Sequence, residues 1–261
     1  MFSKTTSTLM AAFAGLTNAN STPIYGSHPG YTVGNGKSGI TIEIFMDYLC
    51  SACRSENPVL EKVLQKEWLG STVEDQIFVK YTPFPLPYHT HSYEVNRLVP
   101  YFMDLCITGG PAKCFNNEYR DFSFDQLSNV LSMKTTSKDD FITYWSETVA
   151  TEFGLEASDI EAAYADRQTD LDLRSFWKFA AGKGVHATPT AFVNGAYLDD
   201  VPFHTYGWMK LLNEIYDEQT QPTPPGPPTP PGPPTPPGPP GPPTPPSPGP
   251  GPKLSLSYFA Q

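Results

Sequence analysis

The 261-residue chain is short of positive charge. Its 17 lysines and arginines stand against 27 aspartates and glutamates, a net charge of −10. A nucleic-acid or anionic-membrane partner is recognised through a basic stripe, and none is present. No apolar run approaches the roughly 20 residues that a membrane-spanning helix needs. Cysteine is also scarce, with four in all, and only Cys50 and Cys53 have CxxC spacing. A structural zinc takes four ligands, commonly two CxxC pairs or one CxxC with two closely spaced histidines. Cys106 and Cys114 are eight apart. His89-Thr90-His91 is a weak H-x-H signal that reads as a solvated loop pair. No metal and no cofactor is expected.

Proline, by contrast, is concentrated: 20 of the 30 prolines fall in residues 221–252. That segment has almost no other apolar side chain and cannot bury a core. Its Thr-Pro-Pro-Gly-Pro-Pro repeats put glycine at every sixth position, whereas a collagen triple helix needs it at every third. An extended polyproline II tail is expected, acting as a spacer or as a substrate for wall-type hydroxylation or O-glycosylation. Residues 253–261 form a short, mildly apolar end. At the other terminus, Lys4, the apolar run Leu9–Leu16 and small residues up to Ala19 have the order of a secretory signal peptide (1–19). The competing reading is an Ala-rich, unstructured start of a cytosolic protein. The expected folded domain is 27–220, large enough for a sizeable core.

Within it, Ile40, Ile42, Ile44 and Met46 alternate, and Phe45 lies on the other face, as in a central strand buried on both sides. A shorter strand precedes it across a glycine-rich turn at Asn35-Gly36. After Cys53 the period becomes helical through Leu60, Val63, Leu64 and Trp68, with Pro58 inside. "DQIFVKYTPF" reads as a strand closed by Pro83, Pro85 and Pro87. The region 91–184 is mostly helical, with capping-box starts at Ser137 and Ser158. Two short strands flank Asn194-Gly195, a hairpin signal, and an amphipathic helix follows.

The CxxC therefore opens a helix directly after a strand. There the unpaired N–H groups of the first turn point at the Cys50 sulfur. Such a thiolate is stabilised, with a pKa in the roughly 3.5–7.5 range against about 8.5 for a free cysteine. Cys53, one turn deeper, reaches the first sulfur only from within. Disulfide exchange needs such a pair: one thiol to attack, one to resolve the mixed disulfide.

"FMDYLCSACRSENP", "FPLPYHTHS" and "GVHATPTAFVNGAYLDD" occur in this order over Thr41 to about Asp217. Together they resemble the DsbA-like family of the thioredoxin superfamily. The resemblance implies an α/β thioredoxin-like fold with an inserted helical domain at about 91–184. It also implies a cis Thr188–Pro189 bond packed against the CxxC, and thiol–disulfide oxidoreductase activity on polypeptide substrates with a further redox partner. The chain departs from the family in two places. Strongly oxidising relatives carry a histidine before the second cysteine, where this chain has Ala52. Many relatives bury an acidic residue six positions before the first cysteine, where this chain has Ile44. Glu43 should face the other side of the strand, and Asp47 reads as a turn cap. Tyr48, Phe84 and Tyr88 read as core or groove wall.

The catalytic set expected is Cys50, Cys53, Thr188 and Pro189. Cys106 and Cys114 flank "ITGGPAK", a loop that can bring their Cα atoms within the roughly 4.4–6.8 Å of a disulfide. A structural bridge is expected, with a second redox pair as the alternative. The functional expectation is a secreted or lumenal thiol–disulfide oxidoreductase. The competing class is a non-catalytic thioredoxin-fold binding or extracellular matrix protein tethered by its tail, with Cys50–Cys53 as a fixed disulfide.

Overall fold

The computed structural model describes residues 28–221. The expected signal peptide (1–19), nearly all of the proline-rich tail and the end segment 253–261 lie outside the described residues. The first strand, β1 (Tyr31–Gly34), leads through a glycine turn to β2 (Ile40–Met46) and then α1 (Ser51–Leu64). A two-residue pair, β3 (Glu67–Trp68) and β4 (Ser71–Thr72), precedes the short α2 (Val73–Gln76) and β5 (Ile77–Pro83). The helical block follows: α3 (Ser92–Gly109), α4 (Asn116–Asp125), α5 (Leu127–Ser132), α6 (Lys138–Phe153), α7 (Ala157–Ala165) and α8 (Arg167–Gly182). The chain returns as β6 (Thr190–Val193) and β7 (Ala196–Leu198), and α9 (Thr205–Thr220) comes last.

The main sheet has the order β1-β5-β2-β6-β7. Strand β2 is central, parallel to β5 and antiparallel to β6. Its alternation divides the core. Ile40, Ile42, Ile44 and Met46 join one cluster with Cys53, Leu60, Val63 and Trp208. Phe45 joins the other with Phe84, Leu86, Ala180, Val185 and Phe192, beneath α8. Both faces are dry, and each fully buried large apolar side chain contributes about 1.5–3 kcal/mol.

The glycine turn at Asn35-Gly36 joins β1 to β2 without pairing them, since β1 pairs with β5. Asn35 N–H bonds the Glu74 carbonyl and Ser38 N–H the Gln76 carbonyl, so the turn is tied to α2 and passes beyond β5. Two local readings of the sequence need correction. Trp68 does not continue α1. A turn with Leu69 at φ 51° and Gly70 at φ 82° folds the chain back, and the Trp68 indole donates to Asn213 of α9 at 2.8 Å. Ser137 caps α6 by accepting from Asp140 N–H, but Ser158 lies inside α7, whose N-cap is Glu156. Gly154, left-handed at the end of α6, restarts the chain so quickly that the next helix is under way before Ser158.

Two buried ionisable groups join the helices to this core. Arg120 of α4 is 1% exposed and lies over the Tyr81 ring at 4.6 Å. It donates to Glu61 of α1, to Asp121 and to the Tyr31 hydroxyl. Glu56 of α1 is fully buried and accepts from the Trp208 indole of α9 at 2.7 Å.

Candidate active site

Extended backbone at Cys50 (φ −90°, ψ 124°) makes it the N-cap of α1. Its carbonyl accepts from Arg54 N–H at 2.9 Å and its N–H donates to the Asp47 carbonyl at 3.0 Å. Both Cys50 and Cys53 are free thiols. Cys50 keeps 6% exposure and Cys53 none, so the pair is graded from mouth to interior. The Cys50 thiol donates to the Thr188 carbonyl at 3.4 Å, and the Thr188–Pro189 bond is cis. The loop before β6 therefore lies against the head of α1.

The two sulfurs are pushed in opposite directions. A hydrogen bond from Cys53 is the largest influence lowering Cys50, to about 5. Burial opposes it, while the Thr188 side chain and the N–H groups of Cys53 and Ala52 add to the lowering. Burial raises Cys53 well above the ordinary thiol value, and its interaction with Cys50 raises it further. The Thr188 hydroxyl is buried without a hydrogen-bond partner in this state. It has a donor to offer once Cys50 ionises.

Behind the pair, Asp47 is fully buried and gathers five donors. Leu49 N–H, Ser92 Oγ and Asn96 Nδ2 reach Oδ1 at 2.9, 2.6 and 3.0 Å. Leu86 N–H and His89 Nδ1 reach Oδ2 at 3.0 and 2.6 Å. A turn cap accounts for only the first of these. His89 and His91 are not a solvated pair either: His89 is fixed by Asp47, and His91 is buried, bonds the Met133 carbonyl and stacks on Phe141 at 3.9 Å. No spacing in the sequence points to the Asp47 set, because four of its five donors lie 39 to 49 positions away. The one hint is "HTHS", a few residues past a strand end in a segment resembling a known family.

Glu43 pairs with Lys183 on the α8 face, where Lys183 sits 4.4 Å from the Phe192 ring centre. Ile44 faces the cysteine side, so the carboxylate adjacent in sequence stays on the far side of the sheet, as strand alternation requires. Tyr48 is core and Tyr88 is exposed, while Phe84 stacks on Trp177 at 5.5 Å. A cavity of about 790 Å³ opens here, lined by Leu86, His89 and Tyr93 on one side and Arg167, Arg174 and Trp177 on the other. Cys106 of α3 is bonded to Cys114 in a disulfide, across the 3-10 turn Pro111–Lys113. Among the described residues no His, Cys, Asp or Glu cluster is placed to hold a metal ion. No described helix is long and apolar enough to cross a membrane.

No protein-family model matches the sequence, and no curated protein matches it. Solved structures do. DsbA1 from Wolbachia pipientis superposes with a TM-score of 0.55 at 14% identity, over 75% of this chain and 94% of its own. A candidate protein-disulfide isomerase from Pseudomonas syringae gives 0.54 at 16% identity, over 69% and 96%. A thioredoxin-like oxidoreductase from Silicibacter pomeroyi gives 0.51 at 13% identity, over 73% and 94%. With the sheet order and the inserted helices, these matches establish that the chain has the DsbA-like thioredoxin fold.

Proposed function

We propose that the chain is a thiol–disulfide oxidoreductase acting on protein cysteines, with Cys50 as nucleophile and Cys53 as resolving thiol. One observation carries this reading: two free thiols at a helix head, held as an unequal pair. Cys50 lies at the mouth and is drawn down to about 5, whereas Cys53 lies within and is held protonated by burial. At neutral pH the outer sulfur is thus mostly thiolate, the nucleophilic form.

In the reducing direction, the Cys50 thiolate attacks one sulfur of a substrate disulfide. A Cys50–substrate S–S bond forms, the substrate's own S–S bond breaks, and the departing thiolate takes up a proton. Cys53 then loses its proton and attacks the Cys50 sulfur. The substrate leaves as a dithiol and the Cys50–Cys53 disulfide remains, to be reduced by a redox partner. Run backwards, the same steps oxidise a substrate dithiol. The Thr188 carbonyl and its hydroxyl lie where an extended substrate backbone and the attacking sulfur meet, and the apolar walls beside His89 suit unfolded polypeptide. A disulfide at Cys106–Cys114 agrees with a secreted or lumenal setting.

The test is insulin-disulfide reduction with dithiothreitol. Cys50→Ser is expected to abolish it. Cys53→Ser is expected to accumulate a covalent adduct through Cys50, visible on a non-reducing gel. Wild-type turnover that survives Cys50→Ser would overturn the assignment.

A further inference from the structure

Neither residue between the cysteines carries a charge, and Arg54, the nearest cation in sequence, points outward as an exposed side chain. A candidate positive charge comes from the loop after β5. His89 sits in the turn after β5, whose backbone is closed by His89 N–H to Leu86 O at 3.2 Å and by Ser92 N–H to His89 O at 3.0 Å. Its ring bonds Asp47 at 2.6 Å, and Asp47 in turn holds the N–H of Cys50 through its carbonyl. The imidazole is thereby fixed beside the head of α1.

We propose that His89 is the charge partner of Cys50, held in place by Asp47, and that its imidazolium stabilises the Cys50 thiolate and so sets the reduction potential of the pair. This deepens the oxidoreductase reading and rests on it. Asp47 gathers four other donors besides His89, and an uncompensated carboxylate there would oppose a second negative charge three residues along the chain. A protonated His89, bonded to that carboxylate at 2.6 Å, offsets its charge beside the thiolate. His89 acts through the field and touches no substrate, so it is a positioning residue rather than a catalytic one.

The ionisation of His89 agrees. Its hydrogen bond to Asp47 is the largest influence and raises it above the ordinary imidazole value. Burial opposes this, and the charges of Asp47 and Cys50 both raise it. The other ionisable groups around it are Tyr88 and His91 on its own loop, Tyr93 and Glu94 of α3, and Arg167, Arg174 and Lys178 of α8 across the cavity. The attraction between His89 and Cys50 is necessarily mutual.

Two measurements on the full chain test this. In the first, Cys50 ionisation is followed by thiolate absorbance, and the potential is measured against glutathione. His89→Gln is expected to raise the Cys50 pKa by about one unit, a tenfold change, and to lower the potential by about 30 mV. His89→Lys, which restores a cation, is expected to recover most of both. Folded His89→Gln protein with unchanged pKa and potential would overturn the proposal. In the second, which needs no variant, the His89 pKa is read by NMR in oxidised and reduced wild-type protein. It is expected to be higher in the reduced form, because the thiolate then faces the ring, and equal values would overturn the proposal. If the wild type showed no exchange activity at all, the oxidoreductase reading would fail instead, a result separable from either of these.

Discussion

Glu56 offers a measurement of how dry the interior behind the CxxC helix is. Its carboxyl is fully buried, with one oxygen on the Trp208 indole and the other without a partner. Burial pushes it up from 4.5 to about 7, and the Trp208 bond only partly opposes this. Between those two values the unfolded chain has released a proton that the folded chain still holds. Stability therefore falls as pH rises through the window from about 4.5 to about 7, and is level beyond it. The gap of about 2.5 units, at about 1.4 kcal/mol each, sets an upper limit of about 3.5 kcal/mol. A glutamine side chain at this position would copy the protonated acid in shape and keep an acceptor for Trp208, but it cannot ionise. Glu56→Gln should therefore be nearly neutral at pH 4.5 and should stabilise the protein at pH 8. At a urea slope of about 2 kcal/mol per molar, the gain at pH 8 reaches at most about 1.7 M in midpoint. Urea titrations of both proteins at several pH values measure it. Midpoints that track each other in parallel from pH 4.5 to 8 would refute the reasoning.

Arg120→Lys should cost about 3 kcal/mol in urea unfolding, since a buried charge would remain without the fork that serves Glu61, Asp121 and Tyr31 at once. A proteolytic digest of unreduced protein should contain Cys106 and Cys114 in one crosslinked peptide, and removing both cysteines should leave insulin turnover in place; separate alkylatable peptides would refute the bridge. A chain ending at Gln221 should keep its thermal midpoint and Cys50 reactivity, because the tail lacks the apolar periodicity needed to pack; a fall of several degrees would show that it docks.

What the sequence made legible was local or motif-borne. The alternation of Ile40, Ile42 and Ile44 against Phe45 marked β2 as central, because a two-faced strand has no other place in a sheet. Asn194-Gly195 marked the β6–β7 turn, with both residues at positive φ, and Cys50 could be placed at a helix head from the change of period alone. The misreadings came where spacing imitates structure. Trp68 falls four after Leu64, as a helix would require, yet its indole is drawn to α9. The Asp47 network was invisible for a different reason: one carboxylate serving five donors from three segments leaves no periodic trace.

That network also bears on how the fold can be re-engineered. Asp47 belongs to the segment leading into the CxxC helix, while four of its five donors belong to the stretch 86–96. A CxxC segment transplanted from another scaffold would bring its cysteines but not the sockets for its own aspartate. A host aspartate left without a matching loop would be a buried, under-solvated anion beside the reactive sulfur. The exchangeable unit in this protein is therefore two stretches, 47–53 and 84–96, which would have to be swapped together for the grafted thiols to keep their own chemistry.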